Sequence, residues 1–140
     1  MIFTNKRLTH KFNIFIENNK LEETNSTKYL GVIIDNKLNW KAHIEQVVKK
    51  LSKGCWAVCM IRPYVDVHTL KVIYYSLIYP HLQYCIVSWG LAAKTHLNSI
   101  VTKQKRALKT MTFNSIMTPS NPLFLQLNLL KFNDIYNLKK

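Results

Sequence analysis

Two-metal catalysis needs carboxylates brought together at one strand end. The seven acidic residues of this chain, Glu17, Glu22, Glu23, Asp35, Glu45, Asp66 and Asp134, offer no such pair. Glu22 and Glu23 are adjacent, but they sit in the polar stretch from Asn18 to Thr27, which reads as a solvated hairpin loop. Cys55 and Cys59 lie one helical turn apart, as do His81 and Cys85, so two packed helices could offer four soft ligands to zinc. Structural zinc usually takes ligands from tight turns, however, and Cys55 and Cys59 fall on an apolar stripe where free cysteine is commonly buried. Buried thiols without metal are the expectation. An odd count of three cysteines, and no apolar run within Met1 to His10, point to a reducing intracellular compartment, nuclear or cytoplasmic, and not to secretion.

The cations carry more information. Twenty Lys and Arg against seven Asp and Glu give a net charge of +13, which concentrates polyanions near the surface. On one expected helix Lys41, Glu45, Lys49 and Lys53 form an i, i+4 ridge with Lys50 beside it. On another, Lys103, Lys105, Arg106 and Lys109 cluster within two turns. Such ridges suit a nucleic-acid backbone, because each cation that neutralises a phosphate releases a condensed counterion. An ordinary solvated helix face is the alternative for either ridge taken alone.

These residues need elements to hold them. Ile2 to Thr4, Phe12 to Glu17 and Tyr29 to Ile34 are β-branched or aromatic runs that read as about three antiparallel strands, with Asn18-Asn19-Lys20 as a turn. The run from Lys28 to Asp35 reads as one buried strand, in which Gly31 marks a bulge or a close approach. Asn39 can cap a helix from Trp40, whose apolar stripe runs through Ile44, Val47, Val48, Leu51, Cys55, Val58 and Cys59 to a stop at Pro63. Asp66 caps the next helix, and Pro80 kinks or ends it. His81 to Trp89 continues as helix closed by Gly90, a third long helix fits Leu97 to Phe113, and short helices follow near Pro122 and from Phe132 to Leu138. Val72 to Ala93 carries no formal charge and is long enough to span a bilayer, but Ser76, Pro80, His81, Gln83 and Ser88 inside it favour a buried core segment and no membrane partner. The fold class is therefore α+β. A small antiparallel sheet over 1–38 precedes a helical region over 39–113 and a C-terminal loop with short helices over 114–140.

Four blocks of this sequence resemble the reverse transcriptases of non-LTR retrotransposons of the jockey-like (LINE) type. Lys28 to Ile44, KYLGVIIDNKLNWKAHI, is similar to the family's last palm motif. Tyr79-Pro80-His81-Leu82-Gln83-Tyr84-Cys85 with Ser88-Trp89-Gly90 is similar to its YPHL.YC...WG segment. Gln104 to Lys109 resembles a QKRALR block. Pro122-Leu123-Phe124, Leu127 to Lys131 and Asp134-Ile135-Tyr136 resemble the tail that follows. The likeness covers nearly the whole chain and implies the C-terminal part of such a polymerase: the end of the palm, the thumb and what lies after it.

In that family the catalytic aspartates lie on earlier palm strands, one in a Tyr-x-Asp-Asp turn, and that motif does not occur in this chain. The resemblance therefore implies a fragment of an RNA-directed DNA polymerase, a nucleotidyltransferase of a transposable element, that is not competent alone. Catalytic residues and metal ligands are expected to be none, and the Mg2+ of the full-length enzyme would be held elsewhere. Tyr29, Leu30 and Gly31 would lie at a primer grip. The basic ridges would face an RNA/DNA template-primer duplex, and the rest of the palm and fingers would be the protein partner. The alternative is a free-standing basic helical nucleic-acid-binding module, or a remnant of a decayed mobile element.

Overall fold

A computed structural model describes residues 1–3 and 13–140. Two short hairpins come first. β1 (Phe15–Ile16) pairs antiparallel with β2 (Asn19–Lys20), and β3 (Ser26–Tyr29) pairs antiparallel with β4 (Val32–Asp35). The α+β class holds, but the strands form two separate two-stranded sheets and not one of three strands. Ile2 and Phe3 lie in no strand, and Thr4 and Phe12, the remaining ends of the expected strands, lie outside the described residues.

The largest departure from expectation falls on the Lys28 to Asp35 run. It is two arms of a hairpin, because Leu30 and Gly31 turn the chain with φ of 46° and 82°. Positive φ at both central residues is the signature of the two-residue turn whose twist matches paired strands. Glycine adopts it freely, and leucine does so at a strain that a tertiary bond must offset. The buried strand is consequently half of what the apolar run suggests: Val32 is buried, Ile33 and Ile34 are partly buried, and Tyr29 and Leu30 stand 65% and 72% exposed.

Asp35 then organises the passage into α1 (Lys41–Ile61). Its carboxylate accepts from the backbone N–H groups of Lys37 at 3.2 Å, Asn39 at 3.1 Å and Trp40 at 3.0 Å. Trp40 sits in the left-handed region at φ 64°, so the helix begins one residue later than expected, and the Asn39 side chain accepts from Lys41 N–H at 2.9 Å. Polar termini of this kind satisfy donors that no helical carbonyl can reach.

The helical body follows as α2 (Val67–Leu77), α3 (Tyr79–Gln83), α4 (Ile86–Trp89), α5 (Lys94–Met111), α6 (Asn121–Gln126) and α7 (Phe132–Lys139). Asp66 caps α2 by accepting from Thr69 N–H at 2.9 Å, as the sequence suggests, and α2 ends at Leu77, with Pro80 in the first turn of α3. The stretch from His81 to Trp89 is broken, not continuous, because Tyr84 turns extended and Cys85 takes φ 51°. The break frees the Tyr84 carbonyl, and the indole N–H of Trp89 donates to it at 2.9 Å. α1 packs along α5, with α2 crossing both. At the α1–α2 crossing a Cβ on Gly54 would stand 2.8 Å from Ile78 Cγ1, so only glycine permits this approach.

One core runs from Ile44 through Leu51, Val58, Leu70, Ile78, Ile100, Leu108 and Met111 to Phe132 and Ile135. Gln104 ties the C-terminal segment into it. Its amide nitrogen donates to Tyr74 Oη and to the Leu130 carbonyl, and its amide oxygen accepts from Phe132 N–H, each at 2.9 Å. A buried amide is tolerated only when it is satisfied in this way. Burial also pushes the Tyr74 hydroxyl well above its ordinary pKa, so it stays protonated. No helix among the described residues is long and apolar enough to cross a membrane.

Candidate nucleic-acid interface

Two places on this body gather the residues expected to meet nucleic acid. The first is the tip of the β3–β4 hairpin. Tyr84 Oη donates to the Leu30 carbonyl at 2.6 Å, and its ring stands 3.9 Å from where a Cβ on Gly31 would be. That bond supplies the tertiary support the strained Leu30 needs. Ile33 N–H donates to Nδ1 of the buried His43 at 3.3 Å. The His43 ring meets Trp89 edge-on at 5.6 Å, and Trp89 stacks on Phe132 at 5.6 Å.

The hairpin is thus held from both ends by one relay of side chains: His43 on α1, Trp89 on α4 and Tyr84 before it. Residues 54 positions apart in sequence, Leu30 and Tyr84, meet directly. Burial lowers the His43 pKa below its ordinary value, and the nearby Lys50 lowers it further. The ring is therefore neutral at pH 7. With Nδ1 accepting, Nε2 carries the proton, and that atom is buried without a partner.

The second place is the seam between α1 and α5. Lys49, Lys53 and Trp56 recur at spacings of four and three along the outward face of α1. Across the seam, Trp56 lines one groove with Ser52, Cys55, Cys59, Lys103, Arg106 and Thr110. Burial pushes the Cys55 thiol above its ordinary pKa, against the opposing pull of Lys103 and Arg106. It is a packed thiol, not a reactive one.

The remaining predicted cations are placed elsewhere. Lys50 lies toward His43 and His81, and it lowers the pKa of both after burial has done so. Lys105 borders a different groove, with Asn121, Phe124 and Lys131. The Lys109 ammonium turns back to the Ile116 carbonyl. Lys41 stands exposed at the start of α1. The structure therefore brings Lys103 and Arg106 to the Trp56 groove, leaves Lys49 and Lys53 exposed along α1, and disperses Lys41, Lys50, Lys105 and Lys109. Among the described residues no group of three or more His, Cys, Asp or Glu is placed to hold a metal ion, and Cys59 and Cys85 are exposed.

Comparison with known proteins gives these residues a setting. Over 103 residues, 71% of this chain, it is 31% identical to the RNA-directed DNA polymerase from mobile element jockey of Drosophila funebris. The sequence is related to the polymerases of jockey-like mobile elements. The probable RNA-directed DNA polymerases from transposon X-element and from transposon BS of Drosophila melanogaster are 28% and 26% identical over 79% and 78% of the chain. The chain spans 11–12% of the length of these curated relatives. No family model matches it, and no solved structure does.

Within this jockey-like sequence, the residues that build the hairpin mount were not singled out as functional by spacing alone. Asp35 reads only as the end of a strand. His43 sits one position off the α1 stripe, and Tyr84 lies in an apparently helical run. The signal for Tyr84 and Trp89 was their place in the YPHLQYC and SWG blocks, because the structure brings those blocks against the KYLGV block.

Proposed function

We propose that this chain forms the end-of-palm (1–38), thumb-like (39–113) and post-thumb (114–140) part of a jockey-like RNA-directed DNA polymerase, and that it holds a template-primer duplex by sequence-blind phosphate contacts. The observation that carries the reading is the α1–α5 seam, where Lys103 and Arg106 line one groove and Lys49 and Lys53 stand exposed on the helix packed along α5. α5 carries no acidic residue at all, and α1 carries only Glu45, so the seam has little internal compensation. Cations spaced along a helix pair suit a backbone whose charges repeat, and they read no bases. The hairpin tip of Tyr29, Leu30 and Gly31 is the primer-grip-like element of this proposal: it is exposed, mounted rigidly from behind, and narrow at the glycine. The carboxylates and Mg2+ that carry polymerase chemistry belong to other segments, with which palm and fingers complete the enzyme.

Titration of a labelled RNA/DNA hybrid at several salt concentrations tests this. About four phosphate contacts should give a slope of log K against log salt near −3 to −4. Alanine at Lys49, Lys53, Lys103 or Arg106 should each flatten the slope by about one. Lys105→Ala and Lys20→Ala should change it much less. Equal losses from Lys20 and from the seam would reduce the binding to net charge and sink the proposal.

A further inference from the structure

The seam holds one residue that a phosphate track does not need. Trp56 is 66% exposed, whereas Trp89 is fully buried and Trp40 is partly buried against the core. Its indole stands at the edge of the groove that Ser52, Cys55, Cys59 and Thr110 line, with Lys103 and Arg106 across from it. An aromatic face left open to water beside two cations matches the two requirements of a single-strand site: a platform for a base and charge for its backbone. A protein-protein contact centred on the same indole would tend to exclude lysine, which is depleted at interface cores. A duplex does not use such a platform, since its base faces are covered by stacking.

We propose that the Trp56 groove is a subsite for an unpaired nucleotide, its base stacked on the Trp56 indole and its phosphates against Lys103 and Arg106. The subsite rests on the nucleic-acid reading above and goes beyond it. It gives the seam two functions: its four cations hold backbone phosphates whether the strand is paired or not, and Trp56 receives a base only where pairing ends.

Intrinsic tryptophan fluorescence of the whole chain tests the subsite, because a buried Trp89 and a half-buried Trp40 leave Trp56 as the indole most open to a ligand. A short oligouridylate should quench the emission saturably, and a blunt RNA/DNA hybrid should quench it less at equal occupancy. Trp56→Ala should weaken oligouridylate binding by about ten-fold, a loss typical of one base-aromatic stack. Trp56→Tyr should retain most of the affinity. Binding of the blunt hybrid should change by no more than about two-fold in either variant, since its phosphate contacts remain. Trp56 packs on little, so both variants should unfold at the wild-type temperature.

Unchanged oligouridylate affinity in Trp56→Ala would overturn the subsite. So would equal quenching by inorganic polyphosphate, which carries charge and no base. An indole indifferent to every strand would mark a protein contact instead and would also overturn it. Failure of the hybrid to bind defeats the duplex reading, whereas failure of the single strand alone defeats only the subsite.

Discussion

The two hairpins are neighbours in sequence and similar in size, yet the molecule treats them differently. In β1–β2 each strand has two residues, all exposed, and Phe15 and Ile16 present 60% and 58% of their surface to solvent. In β3–β4 each strand has four residues, Val32 enters the core, and the turn is hydrogen-bonded to Tyr84, the second strand to His43, and the exit to Asp35. An isolated two-stranded hairpin is marginal in water. The second hairpin has a fixed place because the helical body reaches out to it, and the contrast teaches that position here comes from tertiary mounts and not from strand pairing.

The largest test of that contrast removes the central mount. Trp89→Ala deletes a fully buried indole that touches His43 and Phe132 and satisfies the Tyr84 carbonyl. A loss of about 3 to 5 kcal/mol in denaturant unfolding is expected. A loss under about 1 kcal/mol would show that the body does not depend on this indole. Next in size is Asp35→Ala, which leaves three backbone N–H groups without their acceptor and should lower stability by about 1 to 2 kcal/mol. Amide exchange should quicken at Lys37 to Lys41 and in β4 but not in α5. Faster exchange spread evenly over α5 would mean that Asp35 supports the whole fold and not the mount alone.

How much of this was readable beforehand follows the same division. The helices and their stops depend on local chemistry, so the Asp66 cap, the Pro63 stop, the interruption at Pro80 and the stripe from Ile44 to Val58 are legible from spacing. The hairpin turn at Leu30 and the break at Cys85 were not. Both put a non-glycine residue at positive φ, φ 46° and 51°, and a local pattern favours strand or helix there. What decides them is Tyr84 and Trp89, each bonding a carbonyl that the irregular backbone sets free. The split of the basic clusters was equally hidden: Lys103 and Lys105 differ by two residues and therefore face different grooves, which only the position of α1 and α6 reveals.

A smaller effect should appear as a pH dependence of the mounted hairpin. The folded-state pKa of His43 is lowered by burial and by Lys50, so below the ordinary value of about 6.5 the unfolded chain takes up a proton that the folded chain resists. The contribution of His43 to stability is therefore complete above that value and is lost as pH falls through the lowered folded pKa. His81 shifts in the same direction for the same causes and should add to the slope. His43→Gln should flatten the fall in stability between about pH 7 and pH 5, and His81→Gln should flatten it less. An unchanged slope in His43→Gln would place the proton uptake on other groups.

The smallest expected effect belongs to the first hairpin, and it sharpens the comparison from the other side. Phe15→Ser combined with Ile16→Ser replaces two side chains that are already more than half exposed and are not part of the buried core cluster. The change in unfolding free energy should stay within about 0.5 kcal/mol, as for surface positions generally. The same pair of serines can nevertheless alter function, because an exposed Phe-Ile strand edge is the kind of surface that pairs with another strand. If the rest of a polymerase palm completes this sheet, the variant should keep its melting temperature as an isolated chain and lose affinity for the separately supplied palm and fingers. A melting temperature lowered by several degrees in the isolated chain would mean that β1–β2 packs on the body after all, and the distinction between a free and a mounted hairpin would fall.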